Sequence, residues 1–139
     1  MAPEHWCVVM AVNELTGTEC WDLLDRVSLA RLLYTSAGLP VAQPVRFVVR
    51  NKVIMVSLDQ GTADRLLPVG TEFVALQVDD FADGALTGHS VTVYGRAQVV
   101  SPQRRGGAEA AGLPGYEGKA VYVCVAPTRL SGSRLDLRT

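Results

Sequence analysis

The sequence predicts a mainly β protein, a closed or split antiparallel barrel of about six strands with few helices. Two observations carry this. From Leu29 onward, runs rich in β-branched and aromatic residues alternate with turn signals. Only one segment before them has a strong helical period. Short strands in number with few helices are resolved by closing the sheet on itself.

The elements follow in order. Thr16-Gly-Thr-Glu19 has capping-box spacing, with Thr18 as an alternative cap directly before the acidic first turn. Cys20, Leu23, Leu24 and Val27 then share one helical face, so an amphipathic helix over Thr18 to Val27 should cover the end of the sheet. Leu29 to Thr35, Val41 to Arg50 and Val53 to Leu58 read as an antiparallel meander, turned at Ala37-Gly38-Leu39-Pro40 and Arg50-Asn51-Lys52. Gly61 to Leu67 reads as a short helix closed by Pro68, and Glu72 to Val78 as a strand. A polar break from Asp79 to Gly84 leads into Ser90 to Val100. There Val91, Val93, Gly95, Ala97 and Val99 alternate with Thr92, Tyr94, Arg96 and Gln98. The glycine-rich stretch 102–118 reads as a surface loop with at most a short Ala-rich helix. A last strand covers Ala120 to Ala126, and Arg134 to Leu137 pairs at an edge.

The 139 residues match one domain, with 1–14 as an N-terminal extension. Thirteen basic residues balance 14 acidic ones, so no broad basic face for nucleic acid is expected. No apolar run is long enough for a transmembrane helix, and no basic region precedes the apolar run from His5 to Val12. The expectation is a soluble cytoplasmic domain, and the Ala/Val/Gly/Arg-rich, lysine-poor composition points to a GC-rich bacterial source. Cys7, Cys20 and Cys124 have neither zinc nor disulfide spacing and read as small core residues.

Catalytic chemistry is thinly represented. No nucleophile elbow, HExxH pair or P-loop occurs, and Asp79, Asp80 and Asp83 lack the closing glutamate of a calcium loop. No metal site is expected. Any chemistry would then be carried by a bound cofactor. Ser57 to Leu66 ends a strand, turns at Gly61 and opens a helix with Thr62. It reads either as a phosphate cradle of N–H groups with the Ser57 and Thr62 hydroxyls, or as a glycine turn with a threonine cap. Arg46, inside an apolar strand and joined by Arg50 and Arg65, reads either as a bidentate phosphate ligand or as an outward-facing arginine on a half-solvated sheet.

Four stretches in this order resemble the flavin-binding split-barrel family, pyridoxamine 5′-phosphate oxidase-like, in its small bacterial nitroimidazole-resistance-like group. They are Glu19 to Leu24, Leu39 to Val45, Ser57 to Leu66 and Gly88 to Ala97, with an echo in Leu130 to Arg134. The resemblance implies a six-stranded antiparallel split β-barrel, a homodimer with two FMN sites at the subunit interface, and an oxidoreductase acting on a small molecule. It places the flavin against Arg46 and Val48, the strand end Val56 and Ser57, and the loop residues Gly61, Thr62 and Arg65. Ser90 would reach the ring. His89 stands where the smaller relatives have tryptophan and reads either as a catalytic proton donor for an oxidoreductase or as a strand-end histidine. Ala63 and Asp64 depart from the family's basic phosphate loop. A deazaflavin coenzyme, or a flavin-free dimer with a binding, structural or non-redox role in a biosynthetic pathway, are therefore the alternatives. The oxidase's C-terminal substrate residues have no counterpart, so vitamin B6 oxidation is not expected.

Overall fold

The computed structural model describes residues 8–66, 71–81, 86–101, 105–110 and 112–138. His5, Cys7, Pro68, Asp83 and Gly84, discussed above, lie outside the described residues. The described chain runs β1 (Val8–Glu14), α1 (Gly17–Arg26), β2 (Leu29–Ser36), β3 (Leu39–Arg50), β4 (Val53–Leu58) and α2 (Gln60–Leu66). It continues with β5 (Thr71–Phe81), β6 (Thr87–Val99), α3 (Arg105–Ala110), a 3-10 turn (Tyr116–Gly118) and β7 (Val121–Arg138).

All pairings are antiparallel. The sheet order is β1-β7-β4-β3-β2-β5-β6, and a β6–β7 pairing closes it. Strands β2 to β7 thus form a six-stranded ring. The seventh strand, β1, adds to the C-terminal half of β7, with Val8 facing Arg138 and Glu14 facing Ser133. The segment expected as a bare extension is therefore sheet as far as it is described, because the long β7 leaves an edge for it to pair.

Alternation sorts the side chains. Leu32, Phe47, Ile54, Val56, Leu76, Val91, Val93 and Val125 point inward and are buried together. The capping box forms at Thr16 rather than Thr18. Thr16 accepts from the Glu19 N–H at 3.2 Å, and the Thr16 N–H donates back to Glu19 Oε1 at 3.0 Å. The Thr16 backbone N–H first, and then the Thr16 side chain, hold the Glu19 carboxyl below its ordinary range. The capped helix buries Cys20, Leu23 and Leu24 against β7, β3 and β6. Each leucine contributes about 1.5–3 kcal/mol of burial. Two backbone turns, Ala37-Gly38 and Asn51-Lys52, have positive φ at both residues, the geometry of tight hairpins.

Three expected boundaries change. Asp79 and Asp80 lie inside β5, opposite Ser90 and His89, because β5 and β6 pair along their full length. The last strand is continuous through Val121–Arg138, where two pieces were expected. Pro127 sits opposite Gly95, next to the bulge where the register shifts between Tyr94 and Gly95, a place where strands tolerate proline. Gly95 is required there, since a Cβ would run into the Ala126 carbonyl. Finally, the stretch after β6 is more than a surface loop. Ala108, Leu113, Ala120 and Tyr122 pack as a second core on Val48 and Met55, outside the barrel. Among the described residues no helix is long and apolar enough to cross a membrane.

Candidate functional site

Directly opposed residues of an antiparallel pair share a face, so register decides which site residues meet. Arg46 on β3 faces Leu29 on β2 and Ser57 on β4. Arg31 faces Gln77, which brings Leu29 alongside Asp79 in one shallow surface hollow. Asp79 in turn faces Ser90, and Ser90 faces Ser133. The row Ser57, Arg46, Leu29, Asp79, Ser90 therefore runs around the outside of the barrel. Three inter-strand spacings, about 14 Å, separate Arg46 from Ser90. Between them Leu29 is 58% exposed, an apolar platform on an otherwise polar row. Arg46 is exposed and has no ion-pair partner among the described residues. Sequence patterning could not supply Leu29, because its role depends on the β2–β3 register.

Next to Arg46 the outer face is covered. Val48 is half-buried under the second core, and Ser57 is 1% exposed. The Ser57 hydroxyl donates to the Pro114 carbonyl at 2.6 Å, 57 residues away in sequence. Val56 points into the barrel and is fully buried, so only its backbone is available at the outer face.

The β4–α2 loop is closed on itself. Asp59, not Thr62, caps α2, which begins at Gln60 rather than Gly61. The Thr62 N–H donates to Asp59 Oδ1 at 2.7 Å, and the Ala63 N–H donates to the Asp59 carbonyl at 3.0 Å. Bonds from Thr62, its backbone N–H first and then its side chain, hold the Asp59 carboxyl below the usual carboxylate range, with a smaller contribution from Arg65. Thr62 is 2% exposed, and its hydroxyl accepts from Arg65 Nη2 at 3.3 Å. Gln60 donates to Asp64 Oδ1 at 2.7 Å. Gly61 is exposed beside Asp59 and Arg65. The sequence signal for this arrangement was an Asp three residues before Thr62, the spacing of an N-cap.

His89 and Ser90 are adjacent on β6 and so project to opposite faces. His89 is half-buried beside α1, in a groove of about 540 Å³ with Glu19, Asp22, Asp25 and Arg26. The structure brings Arg46, Ser57 and Ser90 into one row and leaves His89 elsewhere. Arg26 pairs loosely with Asp80 at 3.7 Å, an exposed contact of little energetic weight.

The comparisons with known proteins agree with this architecture. The family model described as pyridoxamine 5′-phosphate oxidase matches residues 16–134. The chain belongs to the pyridoxamine 5′-phosphate oxidase-like family. Among solved structures, an FAD binding protein from Mycobacterium smegmatis is 30% identical, with a TM-score of 0.72 over 88% of this chain and 98% of that one. An FAD-binding protein from Mesorhizobium loti shares the fold at 16% identity and a TM-score of 0.69, covering 91% of this chain and 98% of that one. A candidate 5-nitroimidazole antibiotic resistance protein from Bacteroides thetaiotaomicron shares it at 10% identity and a TM-score of 0.68, covering 96% and 91%. No curated protein sequence matches.

For a member of this family, the question is whether these residues suit a flavin. The outer row does: Leu29 offers apolar contact to a ring, Ser90 a hydroxyl and Arg46 an unpaired cation for an anion. In the β4–α2 loop a phosphate would meet the Asp59 carboxylate, and the Ser57 hydroxyl, the Thr62 N–H and one Arg65 N–H are already bonded to Pro114, Asp59 and Thr62 oxygens.

Proposed function

We propose that this protein is a flavin-dependent oxidoreductase acting on a small molecule, with FMN or a deazaflavin coenzyme bound on the outer-face row of a homodimer. The observation that carries the reading is the 30% identity to an FAD binding protein along nearly its whole length. The row supports it, since an exposed leucine stands between an unpaired arginine and Asp79, with the Ser90 hydroxyl one strand further on, which matches a planar, amphipathic ligand whose anionic end lies at the arginine. A bound flavin would supply hydride transfer. Arg46 would hold its anionic end, Leu29 would exclude water from one ring face, and the Ser90 hydroxyl would orient the ring's polar edge. A second copy of the chain would cover the other ring face. Leu29 and Phe73, both more than half exposed, lie on the outward faces available for this.

A second reading is a flavin-free dimer with a binding or structural role. The self-bonded loop favours it, because Asp59, Thr62 and Ser57 have partners within the protein. Titration of the purified protein with FMN and with a deazaflavin coenzyme separates the two. Micromolar binding of either, with a dimer by light scattering, supports the oxidoreductase; no binding of either supports the flavin-free dimer.

A further inference from the structure

Asp59 occupies the position from which a phosphate would have to be held. Its Oδ1 takes the Thr62 N–H at 2.7 Å, the donor that the β4–α2 loop would otherwise offer to an anion. An anion entering there competes with a covalently tethered carboxylate for the same proton. A phosphate monoester carries about −1.5 to −2 charges at pH 7, so it is also repelled by that carboxylate. The neighbouring loop side chains are engaged within the protein. Ser57 is turned to Pro114 and Gln60 to Asp64, while Arg65 gives one N–H to Thr62 and sets its charge against the Asp59 carboxylate. Arg46, one strand away on the exposed row and in no ion pair among the described residues, is the cation this reading gives to the anionic end.

We infer that Asp59 is a specificity-determining residue that keeps a terminal phosphate out of the β4–α2 loop, so that this protein gains little affinity from the phosphate of its flavin. The inference rests on the flavin reading above and narrows it, since the ring and its sugar-alcohol chain then carry most of the binding. A flavin without a terminal monophosphate would be accepted nearly as well as FMN.

The test uses the full-length protein and two probes, FMN and riboflavin, which differ only in the phosphate. In the wild type FMN binds no more than roughly tenfold tighter than riboflavin, the margin left to Arg46. Asp59→Asn retains a good cap and removes the charge, so α2 is kept. This variant raises FMN affinity roughly fivefold or more and changes riboflavin affinity less than about twofold. Asp59→Ser, a second neutral cap, does the same and covers the case in which Asp59→Asn fails to fold. Asp64→Asn, an exposed carboxylate on the same helix bonded only to Gln60, changes neither. The inference is overturned if Asp59→Asn leaves FMN affinity unchanged, if both flavins gain equally, or if Asp64→Asn gives the same gain. Binding of neither flavin to any of these proteins overturns the flavin reading itself, and this inference with it.

Discussion

Helix α1 is held against the barrel at a glycine, and this contact gives a stability prediction that can be worked from distances. Gly132 on β7 faces Val91 and lies under α1. A Cβ there would sit 2.6 Å from Cys20 Sγ, 3.1 Å from Leu15 Cδ1 and 3.2 Å from Val91 Cγ2. Ordinary carbon contacts are about 3.5–4.0 Å, so Gly132→Ala forces the Cys20 face of the helix outward by about 1 Å. Overpacking of this kind costs about 1–3 kcal/mol, and reduced freedom of the unfolded chain returns about 0.4–1 kcal/mol. The net expectation is a loss of about 1–2 kcal/mol, or roughly 3–8 °C in Tm for a domain of this size. The assay is urea unfolding of four proteins: wild type, Gly132→Ala, Cys20→Ala and the double variant. Removing Sγ takes away the shortest contact, so the double variant should be more stable than the sum of the single effects by about 1 kcal/mol. An unchanged Gly132→Ala midpoint, or strict additivity in the cycle, would refute this account of how α1 docks.

The other predictions concern pH and the loop. Glu19 is held below its ordinary carboxylate range, chiefly by the Thr16 backbone N–H. Its contribution is thus fully present above the unfolded value, about 4.3, and is lost as pH falls through the lowered folded value. Glu19→Gln keeps the box but cannot titrate, so acid unfolding curves should show a smaller fall in stability below about pH 4.5 than in the wild type. Ser57→Ala removes a buried hydroxyl and leaves the Pro114 carbonyl short of a donor, which should cost about 1–2 kcal/mol in denaturant unfolding. Since that hydroxyl is turned away from ligand, FMN affinity should change less than about twofold.

Much of the barrel is legible before any coordinates. The Thr16-x-x-Glu19 spacing caps a helix because both side chains reach back to orphan N–H groups, and the period-2 run from Val91 to Ala97 does point into the core. The gaps are where distant pairing overrides local signals. Asp79 and Asp80 read as a turn, but eleven paired positions between β5 and β6 keep them in strand. Residues 127–133 fall between the two expected strand pieces, yet the bulge opposite Gly95 and pairing on both sides of β7 carry the strand through. Segment 8–14 looks like a tail because nothing local announces the edge of β7 on which it pairs.

The site divides in the same way. That Arg46 interrupts an apolar strand is visible in sequence; that Leu29 and Ser90 share its row depends on three successive registers. The opposite placement of His89 and Ser90 follows from strand alternation alone and was available in the sequence. The bond from Ser57 to Pro114 was not, because it joins the barrel to an excursion whose packing no local pattern encodes.

The central claim is that a flavin's anionic end is held at Arg46 on the outer face of the barrel. The most direct measurement is equilibrium titration of wild type and Arg46→Ala with FMN, followed by flavin fluorescence, with Tm recorded for both. Arg46 is exposed and unpaired, so its truncation should leave Tm within about 1–2 °C. FMN affinity should fall by roughly fivefold to tenfold, the worth of a single charge-assisted contact. An unchanged dissociation constant in Arg46→Ala would remove Arg46 from the site and contradict the account.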